Sequence, residues 1–506
     1  MNKRTILLLL TAHVITLMAS CGKSNPVVTP VVEPNPVFTA VPDTLKFSVT
    51  GGNDTLTVNM NGTKWEAFSS QTWVGLSFLS SVKASDKLIV SAAANSTGSV
   101  RTATLSLVMD NKISVLVQIT QDIAKIVYSN YSIPVPADPS NMNSDARTLV
   151  SKISMGWNLG NTLEVPASAG GETGWGNALT TQTLIDSVKA AGFNAIRLPC
   201  AWDSHADATS CAIDPVWLAR VKQVVNYCYN DNMYVIINIH WDGGWLENNC
   251  TLLKQDAVNL KQRALWEQIA MYFRDYDEHL LFAGCNEPNV SDATGMAVLL
   301  SYEQTFINAV RSTGGRNSYR TLICQAPSTN IDYAVKYMTT LPADVTAHRL
   351  AFEVHDYDPY QFSLLNSDAS WGNMFYFWGA TFHQAPVDGV DRNASWGEES
   401  YFISEFAKIK AKFVDNGYPV ILGEFGAMRR LSLTGSDLTN HLASRAYYLQ
   451  YVVTQAKNYG LAPFYWDAGF TGDQGTGLFT RSTGVPVDQQ GLKALVTGAA
   501  NGTYPY

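Results

Sequence analysis

The sequence predicts two folded parts, a small all-β sandwich followed by an α/β domain with the architecture of a (β/α)8 TIM barrel. The chain has 506 residues, which is more than one hydrophobic core usually supports. Between residues 43 and 122, short runs alternate apolar and polar residues, with Gly and Asn turns between them. From residue 140 onwards, apolar strand-like runs alternate with helical patterns, which is typical of a barrel of parallel strands.

Composition excludes two broad classes of protein. With 46% hydrophobic residues, the chain has enough apolar material to offset the entropy of folding, so it is not a fully disordered protein. Its formal net charge of −8 and the absence of a basic cluster argue against a partner that is a nucleic acid. The 13 Trp and 23 Tyr residues are a surplus of flat rings with polar edges, which suits contact with sugars.

Residues 1–20 are predicted to be an export signal. Lys3 and Arg4 precede an apolar stretch that is too short and too interrupted for a permanent membrane span. Two small residues then stand directly before Cys21, which resembles the signal of a bacterial lipoprotein. The resemblance implies lipidation of Cys21 and anchoring to a membrane through acyl chains. An ordinary cleaved signal is the alternative.

The next segments are a linker, a sandwich and a second linker. Five prolines between residues 21 and 42 alternate with Val, Asn and Thr, which predicts an extended spacer without a core. Residues 43–122 follow as the sandwich. We assign residues 123–139 to a second linker and residues 140–506 to the barrel.

The sandwich carries a sequence pattern of its own. Its segments Arg101-Thr-Ala-Thr-Leu105 and Val117-Gln-Ile-Thr-Gln121 resemble the BACON module, an immunoglobulin-like domain of Bacteroidetes carbohydrate enzymes. A sugar-binding platform of Trp65, Trp73 and nearby Phe residues is possible on sequence grounds. We favour packing of these rings in the sandwich, and hence a spacer role for the domain.

The barrel is predicted from eight strand candidates and the helical patterns between them. The strand candidates are residues 153–161, 194–199, 234–240, 280–287, 321–326, 349–355, 419–424 and 463–466. The helical patterns cover residues 181–191, 215–230, 261–276, 295–312, 399–416 and 438–459. A doubly wound sheet is the alternative, but it would need a glycine-rich phosphate turn after its first strand, and Gly156-Trp-Asn-Leu-Gly160 is not that motif.

Cysteine spacing gives no sign of a metal site. None of the six cysteines after Cys21 forms a CxxC pair, so no zinc site is predicted. Cys211 and Cys250 lie in predicted loops. A disulfide between them is the alternative to two free thiols, because the protein is predicted to be exported.

Polar or aromatic residues end nearly all of the predicted barrel strands. Burying such groups is costly without partners, and a barrel places its active site at the carboxyl ends of its strands. The candidate site residues are Asn161, Arg197, His240, Trp241, Asn286, Glu287, His355, Tyr357, Glu424 and Trp466. The sequence therefore predicts a functional site at this end of the barrel.

Glu287 and Glu424 point to a specific chemistry. They end strands four and seven, which face each other across a barrel mouth. Glycoside cleavage needs two carboxyl groups on opposite sides of the anomeric carbon, one protonated and one ionised. We expect Arg197 and Tyr357 to hold Glu424 ionised, while Glu287, with His355 nearby, keeps the proton. Two carboxyl groups need no metal, so no metal or cofactor is predicted.

The other candidates are predicted to bind the sugar. Asn286 would bond the 2-hydroxyl, and Trp466 would form a floor under the ring. Asn161 has the alternative role of a simple turn residue. The connection from Asp358 to Trp396 is long for a barrel and rich in Trp and Tyr, which predicts walls of an extended cleft.

The strand-end residues match the catalytic set of glycoside hydrolase family 5 in order and strand placement. Segments Gly156–Glu164, Glu172–Asn177 and Ala191–Pro199 resemble its subfamily 4. The resemblance implies a retaining endo-β-1,4-glucanase that favours xyloglucan, with Glu287 as acid/base and Glu424 as nucleophile. Trp241 departs from the pattern, since many relatives carry a second His there, and we expect it to alter sugar contacts only.

Several alternatives stay open at this point. Mixed-linkage glucanase, plain cellulase and mannanase share the same mechanism, and a non-catalytic glycan-binding lipoprotein would share the anchor and the sandwich. We expect a monomer on the outer membrane that faces the cell surface, because a long glucan would not cross that membrane. Its partners would be the polysaccharide and, through the lipid, the membrane.

Overall fold

The computed structural model describes residues 35–97, 99–123 and 128–506. The export signal, Cys21 and most of the proline-rich linker lie outside the described residues. The chain divides into two compact units near residue 125. None of the helices in the described part of the chain combines the length and the hydropathy that a membrane span needs.

The first unit is a sandwich of two β-sheets. Its strands are β1 (Phe38–Val41), β2 (Thr44–Phe47), β3 (Gly52–Met60), β4 (Trp65–Ser69), β5 (Val74–Leu76), β6 (Ser80–Ser81), β7 (Ser85–Ala92), β8 (Arg101–Met109) and β9 (Ile113–Gln121). One sheet has the order β1-β3-β7-β5 and the other β2-β9-β8-β4-β6. Neighbouring strands are antiparallel except β2 and β9. This confirms the predicted all-β region. The predicted linker of residues 21–42 was too long, because β1 lies within it and packs Phe38 and Ala40 into the sandwich core.

Alternation along the strands builds the sandwich core. In β8 every second residue from Ala103 to Met109 is buried, as expected for a strand with one face on a core. Trp65 is fully buried in this core, and the guanidinium of Arg101 lies over the ring of Trp73, 4.3 Å from its centroid. Both Trp rings therefore make contacts within the sandwich.

The second unit is a closed barrel of eight parallel strands, as predicted. Two short strands, β10 (Val135–Ala137) and β15 (Gly314–Gly315), pair outside it, so part of the predicted linker of residues 123–139 is held by the barrel unit. The barrel strands are β11 (Gly156–Leu159), β12 (Ala195–Leu198), β13 (Tyr234–Asn238), β14 (Leu280–Ala283), β16 (Leu322–Gln325), β17 (Leu350–His355), β18 (Val420–Phe425) and β19 (Leu461–Asp467). They follow one another around the barrel, and β19 closes on β11.

In the described part of the second unit, ten α-helices accompany the strands. They are α1 (Ala146–Ser151), α2 (Gln182–Ala190), α3 (Pro215–Asn230), α4 (Gln255–Tyr272), α5 (Ala293–Ser312), α6 (Ile331–Tyr337), α7 (Tyr360–Ser363), α8 (Glu399–Lys412), α9 (Gly435–Asn458) and α10 (Gln489–Asn501). Local sequence sets their starts: the Asp214 side chain caps α3 by accepting from the Val216 amide, and Pro215 takes the first turn. The short helices α1, α6 and α7 and the C-terminal α10 were not among the predicted helices.

The barrel interior is built in layers by period-two alternation. Inward-facing Ala195, Ile236, Ala351 and Ile421 pack in one apolar cluster together with Leu149 of α1. The next inward position along several strands is polar, and these buried residues are Asn158, Arg197, Asn238, Gln325 and Glu353. Outward-facing strand residues pack against the helices. The apolar layer thus supports a polar layer at the carboxyl ends of the strands.

The cysteines of the barrel unit are free thiols. Cys200, Cys211, Cys228, Cys250, Cys285 and Cys324 are all buried and unpaired by disulfides. The alternative of a disulfide between Cys211 and Cys250 is therefore not what the structure shows.

Candidate active site

Arg197 lies at the centre of the polar layer. Its side chain is completely buried, and one terminal nitrogen, Nη1, donates to Glu424 Oε1 and to Asn158 Oδ1, both at 3.0 Å. The other, Nη2, donates to Asn286 Oδ1 at 2.7 Å. Its Nε forms an ion pair with Glu353 Oε1 at 2.9 Å. One planar guanidinium therefore orients side chains from four other strands or strand ends.

The two predicted catalytic carboxyl groups meet at the mouth of the barrel. An oxygen of Glu287 and an oxygen of Glu424 lie within 4.8 Å of each other. Retaining glycosidases place their two carboxyl groups about 5 to 5.5 Å apart, whereas inverting enzymes need several ångströms more for a water. The separation therefore fits double displacement through a covalent intermediate.

The two carboxyl groups have different surroundings. The Glu424 side chain is 7% exposed, and its second oxygen accepts a hydrogen bond of 2.9 Å from the Tyr357 hydroxyl. The Glu287 side chain is 44% exposed and lies 2.7 Å from His355 Nδ1. Glu424 is thus held in place from two sides, while Glu287 is open to solvent on one side.

His355 stands among three carboxylates. Its Nδ1 is 2.7 Å from Glu287 Oε1 and 3.8 Å from Glu424 Oε1, and its Nε2 is 3.1 Å from Glu353 Oε1. Burial disfavours the charged imidazolium, but the charge of Glu424 and the contacts with Glu287 and Glu353 outweigh it and raise the pKa of His355 to about 10. His355 is therefore protonated at neutral pH, with both ring nitrogens donating.

This arrangement differs from the protonation pattern that the sequence led us to expect. Burial opposes ionisation of Glu287, but the hydrogen bond and charge of His355 outweigh it and lower the pKa of Glu287. Burial raises the pKa of Glu424, against the opposing effects of His355 and Arg197. In the free enzyme the catalytic proton therefore resides on His355, one hydrogen bond away from Glu287.

The cluster of Glu287, His355 and Glu424 also has the spacing of metal ligands in the described part of the chain. However, the guanidinium of Arg197 contacts Glu424 at 3.0 Å, and the protonated ring of His355 adds a second positive charge. These charges would repel a metal ion, so the donor set fits ion pairing rather than metal binding.

His240 and Trp466 form one wall of the site. Their rings lie nearly parallel, at 8°, with centroids 5.8 Å apart. Asn238 accepts from the Cys200 amide and turns its Nδ2 towards His240 Nδ1 at 3.1 Å. Burial, with the charge of Arg197, places the pKa of His240 well below its usual value, so the neutral ring carries its hydrogen on Nε2 and can donate it to a sugar hydroxyl.

Asn161 occupies a tight turn after β11. Its φ of 56° is in the left-handed region, which Asn tolerates better than most residues. Its amide and that of Thr162 both bond to the buried carboxyl group of Glu164, and Asn177 bonds its carbonyl at 2.9 Å. The Asn161 side chain itself makes no hydrogen bond with any described residue, which leaves its amide available to a ligand.

Residues 160–472 match the model of the family described as Cellulase (glycosyl hydrolase family 5). This chain belongs to glycoside hydrolase family 5. A xyloglucan-specific endo-β-1,4-glucanase of Bacteroides ovatus is 35% identical over 470 residues, which cover 90% of this chain and 89% of that protein.

Two solved structures of family 5 enzymes are also similar. The Bacteroides ovatus GH5 xyloglucanase in complex with a XXXG heptasaccharide has a TM-score of 0.67 and 33% identity, and the match covers 92% of this chain and all of that one. XEG5B, a GH5 xyloglucan-specific β-1,4-glucanase from a ruminal metagenomic library in complex with XXLG, has a TM-score of 0.66 and 43% identity. That match covers 72% of this chain and 98% of the other.

The aromatic residues of this family 5 barrel divide into core and surface groups. Trp202 and Trp378 are fully buried and belong to the core. Trp371, at 62% exposed, lies in the long connection after β17, with its ring centroid 6.1 Å from that of Tyr360. Trp241, directly after the His240 strand end, is 42% exposed. The Trp surplus therefore divides between rings packed in the core and rings exposed to solvent, and only the exposed rings are available to line a cleft.

Two buried carboxyl groups next to the catalytic pair were missed from the sequence. Glu353 contacts Arg197 and His355, as described above. Glu247, in the loop after β13, accepts from the Glu287 amide at 2.8 Å, and burial raises its pKa to about 7. Alternation could have found Glu353, since it stands two residues before inward-facing His355, whereas no strand pattern marks Glu247.

Proposed function

We propose that the chain is a retaining endo-β-1,4-glucanase that prefers xyloglucan. The observation that carries the reaction is the pair of carboxyl groups within 4.8 Å of each other at the barrel mouth. One of them is buried and bonded by Arg197 and Tyr357. The other is open and shares a hydrogen bond with a protonated histidine.

The first step of the proposed reaction breaks the glycosidic bond. Glu424 attacks the anomeric carbon, and the proton of the His355–Glu287 pair passes from Glu287 to the leaving oxygen. A bound glycan would cover the exposed side of Glu287 and remove water from it, which raises its pKa and draws the proton from His355. The product of this step is a glycosyl ester of Glu424.

The second step releases that ester. Glu287, now ionised, removes a proton from a water molecule, which attacks the anomeric carbon and frees the Glu424 carboxylate. His355 then shares the proton with Glu287 again. The two inversions together retain the anomeric configuration.

The choice of xyloglucan is supported by the relatives named above and by exposed aromatic rings. Two of those relatives are described as specific for xyloglucan. Tyr360 and Trp371 form an exposed aromatic pair on the long connection after β17, and such rings can stack on the apolar faces of sugars. Mixed-linkage β-glucan and cellulose remain the alternative substrates, because they present the same backbone linkage to the same two carboxyl groups.

A hydrolysis panel tests this proposal. Xyloglucan, mixed-linkage glucan, carboxymethylcellulose and mannan are compared by kcat/KM, with product lengths over time. We expect the highest value on xyloglucan, with long products early. Glu287→Ala should abolish hydrolysis while leaving glucan binding intact, and a 2-fluoro glycoside with a good leaving group should label Glu424. Tight binding without new reducing ends from the wild-type chain would instead identify a glycan-binding protein.

We also propose that the protein is a monomeric lipoprotein of the outer membrane, with the BACON-like sandwich as a spacer. The small residues before Cys21 and the proline-rich segment after it support this proposal. Incorporation of labelled palmitate that is lost in Cys21→Ser would support the anchor. Protease digestion of intact cells distinguishes a surface protein, which is degraded, from a periplasmic protein, which is protected.

A further inference from the structure

We propose that Glu353 is a positioning residue of the reaction, which holds His355 so that its Nδ1–H is presented to Glu287. The inference rests on the proposed function, because it assigns a role within the same proton transfer. Glu353 lies two residues before His355 on β17, so both side chains face the barrel interior. It touches no position that a sugar would occupy, since it is completely buried beneath the site.

The contacts of Glu353 fix its place. Its Oε1 pairs with Arg197 Nε at 2.9 Å and with His355 Nε2 at 3.1 Å. Its Oε2 accepts from Gln325 Nε2 at 2.7 Å. Because an imidazole nitrogen that faces a carboxylate is held as N–H, this contact fixes the proton of Nε2 and the orientation of the ring. The other nitrogen, Nδ1, then points to Glu287.

The neighbouring strand is shaped around this carboxylate. A Cβ built at Gly423 on β18 would lie 1.9 Å from Glu353 Oε1, which no side chain tolerates. The residue directly before the proposed nucleophile therefore lacks a side chain at the point where the Glu353 carboxylate sits. The Glu353 carboxylate is therefore tightly enclosed between β17 and β18.

The charge balance explains why a carboxylate is needed there. Two cations, Arg197 and His355, stand against three carboxylates, Glu287, Glu353 and Glu424. Without the charge of Glu353, two cations would face only two carboxylates, and His355 would lose its proton at lower pH. The His355–Glu287 pair would then lack the proton for the leaving oxygen over part of the working pH range.

Other groups also surround His355 and contribute to its titration. Neutral His240 lies on the β13 side, where its pKa responds to the charge of His355. A small polar cavity of about 110 Å³ adjoins the ring on the other side, and its acidic lining residues are Asp332, Asp356, Asp358 and Glu405. These groups are unchanged by a substitution at Glu353, so a shift in the titration of His355 reports on that contact.

Glu353→Gln tests the role, because it keeps the shape and removes the charge. We expect kcat on the best glucan of the panel to fall roughly 10- to 100-fold at neutral pH, with KM nearly unchanged. This loss is smaller than the roughly 10²- to 10⁴-fold that a general acid or base itself contributes, because Glu353 acts through His355. The basic limb of the kcat/KM profile should move to lower pH by about one unit or more. Glu353→Asp should restore part of kcat and return the basic limb towards its wild-type position.

Glu303→Gln is the matched control. Glu303 is also buried, at 2% exposed, and accepts from the Gln325 amide at 3.0 Å, but it has no contact with His355. We expect this variant to lower Tm without moving the pH profile. Equal pH profiles and similar losses of kcat for Glu353→Gln and Glu303→Gln would show that Glu353 is structural and would overturn the proposal.

A measurement on the free protein separates this proposal from the proposed function. The ring nitrogens of His355 are followed by NMR with 15N-labelled histidine, and the signal is assigned with His355→Gln. We expect the pH midpoint of His355 to fall in Glu353→Gln, or in Glu353→Ala if that variant is the better folded one. An unchanged midpoint overturns the positioning role, whereas a wild-type chain that hydrolyses none of the four glucans overturns the proposed function instead.

Discussion

Gly423→Ala is the sharpest test of how tightly the polar layer is packed. The added Cβ would lie 1.9 Å from Glu353 Oε1 and 2.6 Å from its Cδ, whereas real Cβ contacts stay above 3.0 Å. The Glu353 carboxylate must therefore move by about 1 Å, because it is the only flexible partner in a close-packed interior. That shift stretches its contacts with Arg197 and His355, which are 2.9 Å and 3.1 Å long.

We expect two measurable consequences of Gly423→Ala. Overpacking of a core typically costs about 1 to 3 kcal/mol, which should lower Tm by a few degrees in differential scanning calorimetry. A misplacement of about 1 Å in the site can reduce the rate roughly 100-fold even when its origin is away from the reacting atoms, so kcat on xyloglucan should fall while glucan binding stays intact. Both effects have one cause, the displaced carboxylate.

Gly426→Ala is the control for this experiment. Gly426 stands three residues further along, and a Cβ there would meet its nearest neighbour at 3.5 Å, an ordinary contact. We expect this variant to be close to wild type in Tm and kcat. If Gly423→Ala matched Gly426→Ala in both measurements, the description of Glu353 as a pinned side chain would be wrong.

Three further outcomes are expected. Arg197→Lys should lower kcat roughly 10²- to 10⁴-fold at similar KM, since a single ammonium group loses at least two hydrogen bonds worth about 1.5 to 3 kcal/mol each. A raised KM with unchanged kcat would contradict this. Activity should disappear as the pH falls through the raised pKa of Glu424. Tyr357→Phe removes a hydrogen bond to the ionised carboxylate of Glu424, so it should move this acid limb of the kcat/KM profile to still higher pH. Cys211 and Cys250 should resist alkylation in the native protein, and reductant should leave Tm unchanged; rapid labelling detected by peptide mass mapping would speak against their burial.

The barrel could be predicted from the sequence because its signals are local and repeated. Apolar runs such as Tyr234–Asn238 are buried at every position, as expected for parallel strands covered on both faces, and Asp214-Pro215 marks the start of α3. Strand ends were less predictable. The strand predicted for residues 280–287 ends at Ala283, because the backbone amides of Cys285 and Glu287 donate to side chains rather than to a neighbouring strand. The predicted start of α4 at residue 261 was also late, since Lys254 stands at the N-cap position and no capping side chain marks the start at Gln255.

The candidate site could be predicted for residues that end strands, but not for those that act beneath it or from loops. Alternation placed Arg197 inside the barrel, and the structure brings it into contact with Glu424 and Asn286. The protonation of His355 could not be predicted, because it depends on distances to carboxyl groups on three different strands or strand ends. Glu247 was missed for a related reason, since its contact with Glu287 crosses between two loops.

The unequal exposure of the two catalytic carboxyl groups has a consequence for water. Glu424 is 7% exposed, while Glu287 is 44% exposed. Once a sugar is esterified to Glu424, the protein wall formed by Arg197 and Tyr357 screens the ester from solvent on its own side. The exposed flank of the site is that of Glu287, the base that deprotonates the attacking water. Water therefore attacks from the side of the base, opposite the ester bond, and this side of attack retains the anomeric configuration of the product.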